Sequence, residues 1–223
     1  MIDSHCHLAD SQFDNDLPDV LLRAEEHGVH AMLCIADTIK ESEKCLTLAE
    51  KYEQIFCTIG VHPHAAKDWQ DSDIDQLKSW ALRYAHVKAL GEMGLDYHYD
   101  NSPRDVQQLV FRDQLQLAKE LELPAVIHNR ESLADLTSIV YDVEPPAAVL
   151  HCCTEPWDAI SDWVDRGYWL SFTGIATYSK SDAIRDTIKH CPIEQLMIET
   201  DAPYLPPEAF RAKGGRRIRN EPA

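Results

Sequence analysis

Eight short apolar runs, separated by longer segments of helical periodicity, limit what this sequence can fold into. The runs are MIDSH, AMLCIA, FCTIGV, VKALGE, PAVIH, AAVLH, YWLSF and QLMIET. Each is strand-like in length and bounded by polar or turn residues. Seven intervening segments, from LPDVLLRAEEHG to SDAIRDTIKHC, repeat apolar residues at three- and four-residue spacing. Pro18 near the start of the first and Gly28 at its stop are ordinary helix punctuation. Strands alternating with helices predict an α/β fold with a parallel sheet and right-handed crossovers. Eight of them predict a (β/α)8 TIM-type barrel. Neither GxGxxG nor a phosphate-binding GxxxxGK motif opens a helix, so a nucleotide-binding fold gains no support. Residues 1–223 read as one domain. After QLMIETD, 22 residues remain, with Pro203, Pro206, Pro207, Pro222 and the pair Gly214-Gly215. Such a segment is expected not to form a full eighth helix.

The balance of charge bears on partners. A net charge of −17 argues against wholesale nucleic-acid binding, which leaves a basic footprint. The distribution is uneven: residues 204–223 hold Arg211, Lys213, Arg216, Arg217 and Arg219 against Glu208 and Glu221, a tail of +3 on a body of −20. The seven cysteines are odd in number and irregularly spaced, as for buried thiols in a reducing compartment. No leader or membrane-spanning run is visible, and a cytoplasmic location is expected.

In a barrel of this kind the active site lies at the C-terminal strand ends, so the residues there carry the functional reading. The first run ends in His5 and His7, the third in His62 and His64, the fourth in Glu92. The fifth ends in His128, the sixth in His151, and the eighth in Glu199 and Asp201. Side chains alternate along a strand, so His5 and His7 share a face and Cys6 points away. Four histidines and two carboxylates exceed the needs of one tetrahedral ion, which predicts two metals and a bridging carboxylate. His5, His7, Glu92 and Asp201 are assigned to one ion, and Glu92, His128 and His151 to the other. Lys88 is expected on the face of Glu92, four residues deeper in the same strand.

The motifs DSHCHL, GVHPH, GEMGLDY, HCC followed by Thr154, ETDAPYL and RNEP, in this order, resemble the landmarks of TatD-family deoxyribonucleases. These are metal-dependent barrel hydrolases of the amidohydrolase-like group. The resemblance runs from Met1 to Ala223. It implies divalent-metal-dependent hydrolysis of DNA phosphodiester bonds, often from the 3′ end. It places the metal positions on His5, His7, Glu92, His128, His151 and Asp201. It also implies that His62 and His64 position phosphate and that Glu199 supports the site beside Asp201. Asp201 is further expected to act as base on the attacking water, and Arg130 to contact phosphate. DNA is the expected partner, with no protein partner and no membrane. Mg²⁺ and Zn²⁺ are the leading ions, with Mn²⁺ a third. The sequence departs from the family in HCCTE, in HNRES and in its basic tail, and it is expected to lack the final helix that completes the barrel in other members. Two alternatives follow: a two-metal hydrolase of small esters, amides or aminoacyl esters, and a truncated relative without turnover. Trp69, Trp157 and Tyr178 are surface aromatics able to stack on bases, although packing roles suit them as well.

Overall fold

The periodicities become elements close to where the sequence places them. In the computed structural model, which describes residues 1–213 and 216–222, the strands are β1 (Ile2–Cys6), β2 (Ala31–Cys34), β3 (Ile55–Ile59), β4 (Val87–Asp96), β5 (Ala125–Arg130), β6 (Ala148–Leu150), β7 (Trp169–Phe172) and β8 (Leu196–Ile198). The helices are α1 (Leu17–Glu26), α2 (Ile39–Lys51), α3 (Asp71–Arg83), α4 (Arg104–Glu120), α5 (Leu133–Val143), α6 (Trp157–Asp165) and α7 (Asp182–His190). Local chemistry sets their ends. Thr38 caps α2 by accepting the Glu41 N–H at 3.1 Å, and the Glu41 carboxylate accepts the Asp37 N–H at 3.1 Å. Helix α1 stops at Gly28, whose φ of +82° costs an L side chain energy but not glycine.

The chain divides into two compact units, Met1–Cys34 with His151–Ala223, and Ile35–Leu150. In the first, β1 pairs in parallel with β2, and β7 with β8. Cys6 at the end of β1 also bridges in parallel to Ala202, beyond β8. Buried Phe13, Val20, Met32, Ile160, Trp163 and Leu170 form the apolar interior of this unit. In the second, β3, β4, β5 and β6 pair consecutively in parallel, as helical crossovers require. Ile55, Ile59, Leu77, Leu90, Phe111 and Leu136 are buried within it. Full burial of each such side chain favours folding by roughly 1.5–3 kcal/mol.

Strand β4 is irregular against both of its neighbours. Strand β4 takes three residues, Leu90 to Met93, where β5 takes two, Ala125 to Ile127. The extra residue breaks the alternation. Lys88 is exposed, with its ammonium donating to the Ala85 carbonyl, whereas Glu92 is buried. Past the bulge, β4 comes so close to β5 that a Cβ on Gly94 would stand 2.0 Å from the His128 carbonyl oxygen. Glycine there lets Glu92 sit beside His128.

Among the described residues the helical structure after β8 is one turn, Glu208–Phe210, and Ala212–Lys213 pairs antiparallel with Arg216–Arg217. Gly214, Gly215 and Ala223, and the side chains of Lys213, Arg216 and Arg217, lie outside the described residues, and with them most of the expected basic tail. Two of its arginines have settled contacts. Arg211 lies over the Tyr178 ring, and Arg219 is held by Asp16 and Glu221. No described helix is long and apolar enough to cross a membrane.

Candidate metal centres

In the first unit the end of β1 brings His5 and His7 together on one side, with their Nε2 atoms 3.2 Å apart. The Cys6 thiol turns the other way, toward the Leu33 carbonyl. Asp201 completes the group: its Oδ1 is 3.2 Å from His7 Nε2 and 3.6 Å from His5 Nε2. Two ligands about 2.0–2.1 Å from one ion at tetrahedral angles lie about 3.3–3.4 Å apart, so this spacing fits a coordination shell. The backbone holds the group in place. The Asp201 N–H donates to the His5 carbonyl and the His7 N–H to the Ala202 carbonyl. Asp201 sits at φ +54°, a conformation that aspartate tolerates better than most residues. Burial raises its carboxyl pKa, but the hydrogen bond and charge of His7, with His5 and His151 beside it, outweigh this and hold it below its ordinary range.

Behind this group, Asp3 accepts the Thr200 N–H at 3.0 Å and the Thr200 hydroxyl at 2.6 Å. Burial pushes the Asp3 carboxyl up to about 6 against those hydrogen bonds. Asn220, from RNEP, donates its side-chain amide to the Thr200 carbonyl at 2.7 Å. His151 stacks on His5 with ring centroids 4.0 Å apart. Its Nδ1 faces Glu199 Oε1 at 3.3 Å, which leaves the lone pair on Nε2. The same Glu199 oxygen accepts the Cys152 N–H at 2.8 Å, and the other accepts the Ser171 hydroxyl at 2.5 Å. Glu199 thus orients an imidazole.

In the second unit Glu92 and His128 meet, with Glu92 Oε1 3.0 Å from His128 Nδ1. His62 Nε2 is 3.6 Å from the same oxygen. The two histidines differ in what they offer. His62 Nδ1 accepts the His64 N–H at 3.1 Å, so its proton sits on Nε2 and this ring is a donor. His128 Nε2 is 3.2 Å from Asp96 Oδ2, and a proton held there leaves Nδ1 as the nitrogen for an ion. His64 Nε2 bonds to the same Asp96 oxygen at 2.9 Å. The other Asp96 oxygen accepts the N–H groups of His98 and Tyr99 at 3.1 and 2.8 Å. Burial works against the Asp96 carboxylate, but these bonds, with His128 foremost, hold its pKa far below the usual range. Asp96 was not among the residues read from the sequence, although it stands within the quoted GEMGLDY. Arg130 lies over the Tyr99 ring at 4.7 Å, and its neighbour Glu131 engages His98 at 2.7 Å.

The sequence profile of the TatD related DNase family matches residues 2–223. The chain belongs to this family. The uncharacterized metal-dependent hydrolase YabD of Bacillus subtilis is 36% identical over 225 residues, covering all of this chain and 86% of YabD. The 3′-5′ ssDNA/RNA exonuclease TatD of Citrobacter koseri is 37% identical over 229 residues, covering all of this chain and 86% of that protein. The crystal structure of the TatD homologue YJJV from Escherichia coli superposes with a TM-score of 0.90 at 31% identity, over 98% of this chain and 84% of YJJV. The fold class is accordingly (β/α)8 TIM-type, as the alternation of strands and helices predicts. As a TatD-family member the chain is a metal-dependent hydrolase acting on ester bonds. Its donor sets, imidazole with carboxylate in each unit, are of the kind that binds divalent ions.

Proposed function

We propose that this hydrolase cleaves phosphodiester bonds of single-stranded DNA from the 3′ end with two divalent ions. The observation that carries the reading is the composition of the two donor groups. Each pairs a buried carboxylate with imidazoles at ligand spacing, and the second adds a histidine that donates. The ligands are His5, His7 and Asp201 in the first unit, with His151 beside them, and Glu92 and His128 in the second. The name of the Citrobacter relative favours a nucleic-acid substrate. The imidazoles favour Zn²⁺ or Mn²⁺ on ligand preference, and Mg²⁺ suits the carboxylates. Seven cysteines outside any disulfide, six of them buried, are consistent with a reducing, cytoplasmic location.

Bound divalent ions supply positive charge to phosphoryl oxygens and lower the pKa of water. The chain's own groups do the rest. Asp201, kept ionised, accepts the proton of the attacking water. His62 donates from Nε2 to a non-bridging phosphate oxygen, and Arg130 contacts phosphate. His64, fixed by Asp96, helps to place the phosphate. Glu199 holds the tautomer and direction of His151.

Two measurements test this. Ion counting on metal-reconstituted protein should give two ions per chain, and Glu92→Ala, which removes the carboxylate of the second group, should give no more than one. Turnover on a DNA oligomer should exceed turnover on small p-nitrophenyl esters and on amides in kcat/KM. The reverse order would make this a small-molecule hydrolase, and no turnover on either by the metal-loaded protein would make it a non-catalytic relative.

A further inference from the structure

Tyr99, in the loop that follows β4, is a large aromatic residue left 53% exposed. The ring is not adrift. Its backbone N–H is held by Asp96 Oδ1 at 2.8 Å, and the other oxygen of that carboxylate holds His64 and His128. One buried carboxylate therefore ties the backbone of Tyr99 to the imidazoles. The guanidinium of Arg130, two residues beyond His128 on β5, lies 4.7 Å from the ring centroid. His64 meets the ring edge-on with centroids 5.5 Å apart, and His98 likewise at 4.8 Å. The loop is tied a second time by His98 Nδ1 to Glu131 Oε1 at 2.7 Å. The result is an exposed aromatic ring on an anchored backbone, flanked by a cation, one imidazole away from Glu92 and His128.

We propose that Tyr99, backed by Arg130, is the platform on which a nucleobase next to the scissile phosphodiester stacks. The proposal rests on the DNA-hydrolase reading above and adds to it a residue for holding substrate. Charge supports it. A chain of −17 gains little from bulk attraction to a polyanion, so its hold on a strand must come from local contacts. Stacking on an aromatic ring is such a contact, and it accepts any base because every base has a π-face. The guanidinium adds a cation to the stack and keeps N–H groups for phosphate.

The test is steady-state cleavage by metal-loaded enzyme of single-stranded oligonucleotides whose last or penultimate nucleotide is natural or abasic. The wild type should show a KM about tenfold higher on the abasic strand, with kcat little changed. Tyr99→Leu should raise KM about tenfold on the natural strand and leave the abasic strand as it was, so that base and ring removal are not additive. Tyr99→Phe should match the wild type, and an unchanged Tm for both variants excludes damage to the fold. Wild type that cleaves natural and abasic strands with equal KM overturns the platform and leaves the nuclease reading standing. So does a Tyr99→Leu effect of equal size on both strands. Wild type that cleaves neither strand overturns both.

Discussion

Asp96 Oδ2 lies 3.2 Å from His128 Nε2, on the far side of the ring from the nitrogen that faces Glu92. A carboxylate behind an imidazole fixes its tautomer and direction, and makes it a better ligand. Asp96→Asn replaces an acceptor by a group that also donates, and cannot hold both His64 and His128 as the carboxylate does. Metal affinity should fall about 10–100-fold, with the folded state retained. Isothermal titration of metal-free protein with Zn²⁺ or Mn²⁺ reads this directly.

Glu199 stands in the same relation to His151, but with one oxygen committed to Ser171 and the other to Cys152 N–H and His151. Glu199→Gln loses one acceptor of the three bonds. The expected result is a 10–100-fold loss of activity or metal affinity, smaller than that of Asp201→Asn, which removes a direct ligand. Parallel kcat and metal-affinity measurements on the two variants check the order.

Gly94 and Gly28 both have positive φ, at +142° and +82°, yet they should respond differently to alanine. At Gly28 nothing lies within 4 Å of the added Cβ, so Gly28→Ala costs backbone strain alone, about 1–2 kcal/mol. At Gly94 the Cβ meets the His128 carbonyl oxygen at 2.0 Å, and β4 must move from β5. Gly94→Ala should cost more than ~3 kcal/mol and weaken metal binding as His128 shifts. Urea unfolding of the two variants gives the comparison.

Arg219 donates to Asp16 from its two terminal guanidinium nitrogens, at 2.8 and 2.7 Å, and lies over the Phe13 ring. The hydrogen bond from Arg219 holds the Asp16 carboxyl below its ordinary range. A depressed carboxyl stabilises the fold above its unfolded pKa of about 3.9, and this is lost as pH falls through the folded value. Arg219→Gln should therefore lower Tm near pH 7, and the gap to wild type should narrow in acid. A constant gap would assign the effect to packing on Phe13.

Much of this was legible in the sequence because it depends on local patterns. Helix α5, over Leu133–Val143, follows the apolar period of LADLTSIVYDV without a residue's difference. His5 and His7 share a side because two-residue alternation survives there, and Asp201 follows from its motif. The sequence did not show Asp96, because β4 continues four residues past Glu92 and its bulge breaks the period that would have carried the reading onward. The direction of His62 and His64 was also closed to pattern reasoning, since a 3-10 turn starting at Pro63 replaces the strand there. Tyr99 reads as a loop aromatic until Asp96 is seen to hold its backbone.

The most direct measurement is a metal titration of cleavage on 3′- and 5′-labelled single-stranded DNA, with Glu92→Ala and His128→Ala beside the wild type. Metal-dependent shortening from the 3′ end, lost in both variants, is the expected result. Full activity in metal-free protein, or in either variant, would contradict the account.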